Sequence, residues 1–459
     1  MSPEAVAPDF MREPGTVAFH RELFIEQSQE GGFLYEQRVA RLVEGEQSWL
    51  SLQPLEDRLA ARIDALVAGQ ELGLRVCAQR VQDGDPGEVF MGLSVACQHA
   101  HAPAMARILN AVDLEAADRM AAARDALCWH WPAAWEGFIE RALQGGTAQL
   151  VALLAPVCGR RQLPLGPTLL RAWQAHPGLS LPMLDALGHL RVREALPWMR
   201  RALTAPTPDL QAAGMLALLR LGDDSPLQCD AQQVAALSWS HPLLGLAGAP
   251  SHALALLAVA RAGQATASTL HALGLLGDPV AFDVLCDHLG HPELGAAAAL
   301  ALRWMTGADL ADTRFVPEAV DEDALLPDEL RAWREGGQPP QHADGRPYGE
   351  QHRAWSRHPD RWRSWRAEHS AGMVEGQRQR FGQPVTPTVL VDTLMRPDAD
   401  LLLRHYTAME LSLRHGLSHP FDVGLPVSEQ WRQLTALKTW AATACPLPPG
   451  AWCFDGRAQ

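Results

Sequence analysis

Apolar positions along this chain gather into short runs with helical spacing, and the runs echo one another. Leu184-Asp185-Ala186-Leu187-Gly188-His189-Leu190 recurs as Leu270-His271-Ala272-Leu273-Gly274-Leu275-Leu276, and Ala195 and Leu203 are matched again by Ala281 and Leu289, at an offset of 86 residues throughout. Self-similarity at a fixed spacing marks a repeat architecture. The same alanine, leucine and small-residue pattern is anchored at Ala65, Ala96, Ala126, Ala155, Ala217 and Ala301, with a degenerate copy near Leu244-Gly245, and successive anchors lie 27 to 31 residues apart. Each unit reads as an apolar helix, a short turn and a second apolar helix. The turns Leu221-Gly222-Asp223-Asp224 and Leu276-Gly277-Asp278-Pro279 have a mechanism: glycine ends one helix, aspartate caps the next, and proline suits its first turn. A helix pair of this kind cannot bury its apolar face alone, so neighbours must stack. The pattern therefore predicts an all-α fold, an alpha-solenoid of short (about 30-residue) helical repeats with helical caps.

The flanks of the array differ from it. Residues 1–64 read as an N-terminal helical cap in which Glu22 to Gln27 and Phe33 to Arg38 form two amphipathic helices, and residues 65–310 hold the repeats. Residues 311–383 turn acidic, then rich in glycine and proline, then rich in arginine and tryptophan, as in a linker or surface excursion. Residues 384–459 resume the helical repeat and end in a tail.

Composition narrows the function classes. With 459 residues, 47% of them hydrophobic, the chain can bury a large core without staples. No apolar run escapes interruption by Arg, Asp or Gly, which excludes a membrane-spanning helix, and residues 1–13 lack the basic and apolar regions of a secretory signal. A cytoplasmic address is the expectation. The formal charge of −14 weighs against a general nucleic-acid binder, and Lys438 is the single lysine, which removes nearly all lysine-based chemistry. Eight scattered cysteines with no tight C-x-x-C pair do not form a disulfide framework in a chain of this size.

Candidate chemistry is sparse. Cys97, His99, His101, Cys128 and His130 are the residue types that zinc prefers, but Cys128 stands two residues after the Ala126 anchor, where other copies have Gly188 and Gly274. Core packing is the reading that follows. Cys286, His288 and His291 precede Pro292 and read as capping and loop residues. No nucleophile elbow, phosphate loop or dinucleotide fingerprint is present, so no catalytic residue, metal site or cofactor is assigned. One segment stands out by composition: Arg353, Trp355, Arg361, Trp362, Arg363, Trp365 and Arg366, with Arg357 among them. Tryptophan and arginine dominate protein interfaces and also stack on bases; alternatively the indoles pack on the repeats while the guanidiniums reach acidic surface. The segment is taken as the candidate partner-binding site.

The repeat signature resembles the short HEAT-like repeats of phycobilisome lyases, over roughly Ala65 to Leu310. Three stretches are similar to a proteobacterial HEAT-like-repeat family associated with type VI secretion gene neighbourhoods: His20-Arg21-Glu22 with Phe33 to Arg38, Leu55-Glu56-Asp57-Arg58-Leu59, and Arg404-His405-Tyr406-Thr407-Ala408-Met409-Glu410-Leu411. That resemblance implies an accessory that handles a secreted effector or spike component, and it carries no catalytic residues. The expected function is a non-catalytic protein-binding scaffold or adaptor that holds its client on a concave face. An immunity protein neutralising a toxic effector is the first alternative. A HEAT-like enzyme, bilin-lyase-like or DNA glycosylase-like, is the second, and the acidic balance opposes its nucleic-acid form.

Overall fold

The computed structural model describes residues 14–44, 48–132, 135–317, 320–322, 325–336, 341, 346–444 and 447–459. In chain order its helices are α1 (Pro14–Glu44), α2 (Gln53–Ala68), α3 (Gln70–Asp83), α4 (Pro86–Gln98), α5 (Ala102–Ala111), α6 (Ala117–His130), α7 (Glu136–Gly145), α8 (Ala148–Arg160), α9 (Gly166–Ala175), α10 (Ser180–His189), α11 (Leu196–Ala202) and α12 (Pro208–Arg220). There follow α13 (Ala231–Ala235), α14 (His241–Ala247), α15 (Pro250–Arg261), α16 (Ala267–Leu276), α17 (Phe282–His288) and α18 (Gly295–Thr306). Strand β1 (Ala311–Pro317), α19 (Pro327–Gly336), strand β2 (Gly349–Trp355) and α20 (Pro359–His369) come next, and α21 (Pro387–Met395), α22 (Leu401–His415) and α23 (Val427–Ala441) close the chain. Helix accounts for 69% of the protein, so the all-α helical-repeat fold expected from the pattern is the fold observed.

Two compact units divide the chain, residues 1–252 with 385–459, and residues 253–384. These bounds differ from the four segments read from the sequence. In the first unit, α4, α6, α8, α10 and α12 stack in one layer while α3, α5, α7 and α9 run in a second. α1 is one continuous helix of 31 residues, not two, and it lies along α2, α3 and α4 with Phe24, Leu34 and Tyr35 buried. The C-terminal helices do not prolong the repeats. Instead α21, α22 and α23 build a second apolar cluster with Trp49 and Leu52, and Trp49 donates its indole N–H to the Arg396 carbonyl at 3.1 Å.

The repeat register is set by close helix crossings. A Cβ on Gly159 would lie 2.9 Å from Ala186 Cα, and one on Gly188 would lie 3.0 Å from Ala217 Cα. Gly159 and Gly188 are therefore equivalent, which puts the anchor of α8 at Val157, two residues beyond the Ala155 read from the sequence. The second unit repeats the device, for a Cβ on Gly274 would lie 2.7 Å from Ala301 Cα. That shared crossing is why the two stretches 86 residues apart look alike. The Gly274→Val variant is expected to lose about 1–3 kcal/mol, because two branched methyl groups must push α16 from α18. Urea unfolding that leaves the variant level with the parent would remove this account of the register.

The second unit also contains the predicted turn. Gly277 ends α16 at φ +69, Asp278 accepts from the Val280 N–H, and Pro279 opens the next turn. The unit also holds an antiparallel ribbon that the sequence did not announce, β1 against β2, running from Ala311 opposite Trp355 to Pro317 opposite Gly349. The two strands lie too far apart in the chain for a hairpin turn to announce them.

Candidate functional site

In the first unit a cleft of 470 Å³ opens where α8, α10 and α12 end against α22 and the loop that follows it. Each of the three repeat helices finishes on a basic side chain, Arg160, His189 and Arg220, at the end where the helix dipole favours positive charge. The equivalence of Gly159 with Gly188 explains the alignment, since Arg160 and His189 each follow one of these glycines. From α22 come His405, Ala408, Met409 and Ser412, and from the loop come Phe421, Asp422, Val423 and Gly424.

The charged groups of the cleft are bound to one another. Asp185 sits one turn before His189 on α10, so its Oδ1 meets His189 Nδ1 at 3.2 Å and Arg220 Nη1 at 2.8 Å. Desolvation within the cleft works to raise the Asp185 pKa, but hydrogen bonds from His189 and Arg220 outweigh it and hold the carboxyl below the usual range. Arg160 donates from Nε to Asp422 Oδ2 at 2.8 Å, and its Nη1 lies 3.4 Å from Asp125 Oδ1. Tyr35 donates to the other oxygen of Asp125 at 3.1 Å, and burial followed by the Asp125 charge pushes that phenol far up. Arg191, at φ +51 just past α10, donates to the Leu417 carbonyl at 3.2 Å and stands 4.0 Å from Asp455.

None of these residues was singled out as a site from the sequence, although a signal was present. Asp185 and His189 are polar members of the repeat segment whose counterparts 86 residues on are His271 and Leu275. His405, Ala408 and Met409 belong to the stretch that carries the family resemblance.

The arginine and tryptophan segment falls in the second unit, where its members are engaged with that unit. Trp362 is 0% exposed and donates its indole N–H to the Ser356 carbonyl at 2.8 Å, so it is a core residue and not a surface contact. Trp355 is half-buried with the Arg303 guanidinium over its ring, and Trp365 stacks on His369 of its own helix. Arg353 pairs with Asp309 and Arg361 with Asp312; Arg363 reaches Asp287 at 2.9 Å and Arg366 reaches Asp283 at 3.0 Å. Ser356 and then Arg361 hold the Asp312 carboxyl below its ordinary pKa. The reading in which indoles pack while arginines satisfy acidic surface describes this geometry.

Six of the described cysteines likewise belong to packing. Cys77, Cys97, Cys128, Cys158, Cys286 and Cys453 are buried, and burial pushes the Cys77, Cys128, Cys158 and Cys286 thiols up to about 12. His101 caps α5 by accepting from the Ala104 N–H, His291 accepts from the Glu293 and Leu294 N–H groups, and His288 contacts the Val284 carbonyl one turn back. Among the described cysteines Cys229 is the exposed one. A maleimide added to the native protein is expected to label Cys229 and to reach those six buried thiols only after denaturation, as peptide mass spectrometry will show. Rapid native labelling of Cys97 or Cys128 would contradict their place in the core.

Fold and site together define an all-α helical-repeat protein whose first unit carries a cleft edged by ion pairs and floored by apolar side chains. Comparison with models of known families, with curated proteins and with solved structures found no match to this chain. Among the described residues no helix is long and apolar enough to cross a membrane, and no group of three or more His, Cys, Asp or Glu is placed to hold a metal ion.

Proposed function

We propose that the chain is a non-catalytic adaptor that holds a segment of another protein in the cleft of its first unit. The observation that carries this reading is the pairing of the cleft's charges. Asp185 is kept ionised and so is a poor proton donor at neutral pH, and the Arg160 guanidinium lies between two carboxylates. Groups fixed in this way recognise shape and hydrogen bonding. The apolar residues beside them, Leu216, Met409, Phe421 and Val423, supply the surface from which most binding energy derives. Helical repeats are stacked scaffolds used for binding proteins, which agrees with the same role. The context of effector or spike handling rests on the family resemblance; three residues of its closing stretch, His405, Ala408 and Met409, line the cleft.

The test is affinity purification of the tagged full chain from its native cell with quantitative mass spectrometry, beside a Met409→Trp variant that fills the cleft. A protein enriched by the parent and lost with the variant is the expected result. Equal enrichment by both forms would move the binding surface elsewhere, and no enrichment over an untagged control would end the adaptor reading.

A further inference from the structure

Two residues that line the cleft, Arg220 and Asp185, keep a donor edge and an acceptor oxygen unengaged. Arg220 uses Nη1 on Asp185, with Oδ1 at 2.8 Å and the main-chain carbonyl at 3.5 Å. Among the described residues its Nε and Nη2 have no hydrogen-bond partner, on a side chain that keeps 12% of its surface exposed. These two atoms form the fork through which arginine grips a planar acceptor. Asp185 receives His189 and Arg220 on Oδ1, and its Oδ2 has no partner among the described residues.

Charge balance decides what kind of group fits between them. Arg160, Arg191 and Arg220 line the cleft, and Asp185, Asp422, Asp125 and Asp455 all lie within 4.0 Å of one of them. With three guanidiniums already matched by four carboxylates, an added anion finds no uncompensated positive charge. An added cation gains one carboxylate at most and must face three guanidiniums. A neutral group that presents an N–H and a C=O together gains both hydrogen bonds and disturbs no ion pair. One residue of an extended peptide, whose own N–H and C=O point to the same side, is such a group.

We propose that the cleft binds an extended peptide through the N–H, the C=O and the aliphatic side chain of one residue. The amide N–H donates to Asp185 Oδ2, a main-chain carbonyl accepts from Nε and Nη2 of Arg220, and the side chain rests on Leu216, Met409, Phe421 and Val423. A volume of 470 Å³ holds a few residues, not a folded element. This assignment rests on the protein-binding reading and states which chemistry performs it.

The probe is N-acetyl-leucine N′-methylamide, titrated into the full chain by ligand-observed NMR beside N-acetyl-leucine, its carboxylate analogue. The methylamide is expected to bind saturably with a Kd of about 1 mM, ordinary for about 13 heavy atoms, and at least as tightly as the carboxylate. Binding should fall about tenfold in Arg220→Met and disappear in Met409→Trp, with circular dichroism confirming that each variant is folded. Should Met409→Trp melt early, Ser412→Phe fills the cleft from a neighbouring turn of the same helix. Tenfold tighter binding of the carboxylate, methylamide binding unaffected by the filled cleft, or no saturable binding to the parent each overturns the assignment. A chain that captures its protein partner yet ignores the methylamide loses this assignment alone. One that binds the methylamide yet captures no partner loses the adaptor role alone.

Discussion

Replacing Trp362 by alanine is expected to destabilise the second unit by about 3–5 kcal/mol, the range for removing a fully enclosed tryptophan. The side chain is 0% exposed, and its loss also leaves the buried Ser356 carbonyl without the indole N–H. In a unit of this size the midpoint of thermal unfolding should drop by about 10 °C or more. Trp365→Ala is the control: this indole is half-buried and stacks on His369 of the same helix at 4.4 Å, so a change of about 1 kcal/mol or less is expected. Calorimetry on both variants separates core from surface within one compositional cluster. A Trp362→Ala variant that melts with the parent would return that residue to the surface.

The second large effect is expected from Arg38→Met in the first unit. Arg38 on α1 is 1% exposed, donates from Nε to Glu56 at 2.7 Å, and reaches the Gly424 and Leu425 carbonyls at 3.0 and 3.2 Å. Glu56 accepts in turn from the Val427 N–H at 2.6 Å. Two helices from the start of the chain thereby hold the loop that supplies Phe421, Asp422 and Gly424 to the cleft. Removing one partner of a buried pair strands the other, at a cost of about 3–5 kcal/mol. The double variant Arg38→Met with Glu56→Leu should recover part of this and not all, because the two carbonyls and the Val427 N–H remain without partners. Denaturant unfolding measures the loss. Hydrogen exchange should show faster exchange in the segment 418–427 of the single variant, and slow exchange there would mean that the loop is held by something else.

The class of fold was legible in the order of the amino acids, because that information is local. Helical spacing of apolar residues, small residues where helices cross, and Gly-Asp-Pro at the turn act within a few residues of where they stand, and they were legible at Gly188, Gly274 and Gly277. The burial of Cys128 was legible on the same ground, since its place in the repeat demanded a small side chain. Other decisions belonged to the tertiary structure. Whether Glu22 to Arg38 forms two helices or one depends on the helices that α1 lies along: Gly31-Gly32 stands between the two stretches as a local breaker, and close packing of these glycines on Met91 and Gly87 of α4 keeps the helix continuous. Whether Trp362 faces solvent depends on α17, which lies more than 70 residues before it. The cleft depends on distance in the chain most of all: Arg160 and Asp422 meet across 262 residues, and Arg38 and Leu425 across 387. Contacts of that span leave no periodicity in the text. A charged side chain at a helix end reads the same whether its partner is water or a carboxylate from the far end of the chain, and only folding chooses between them.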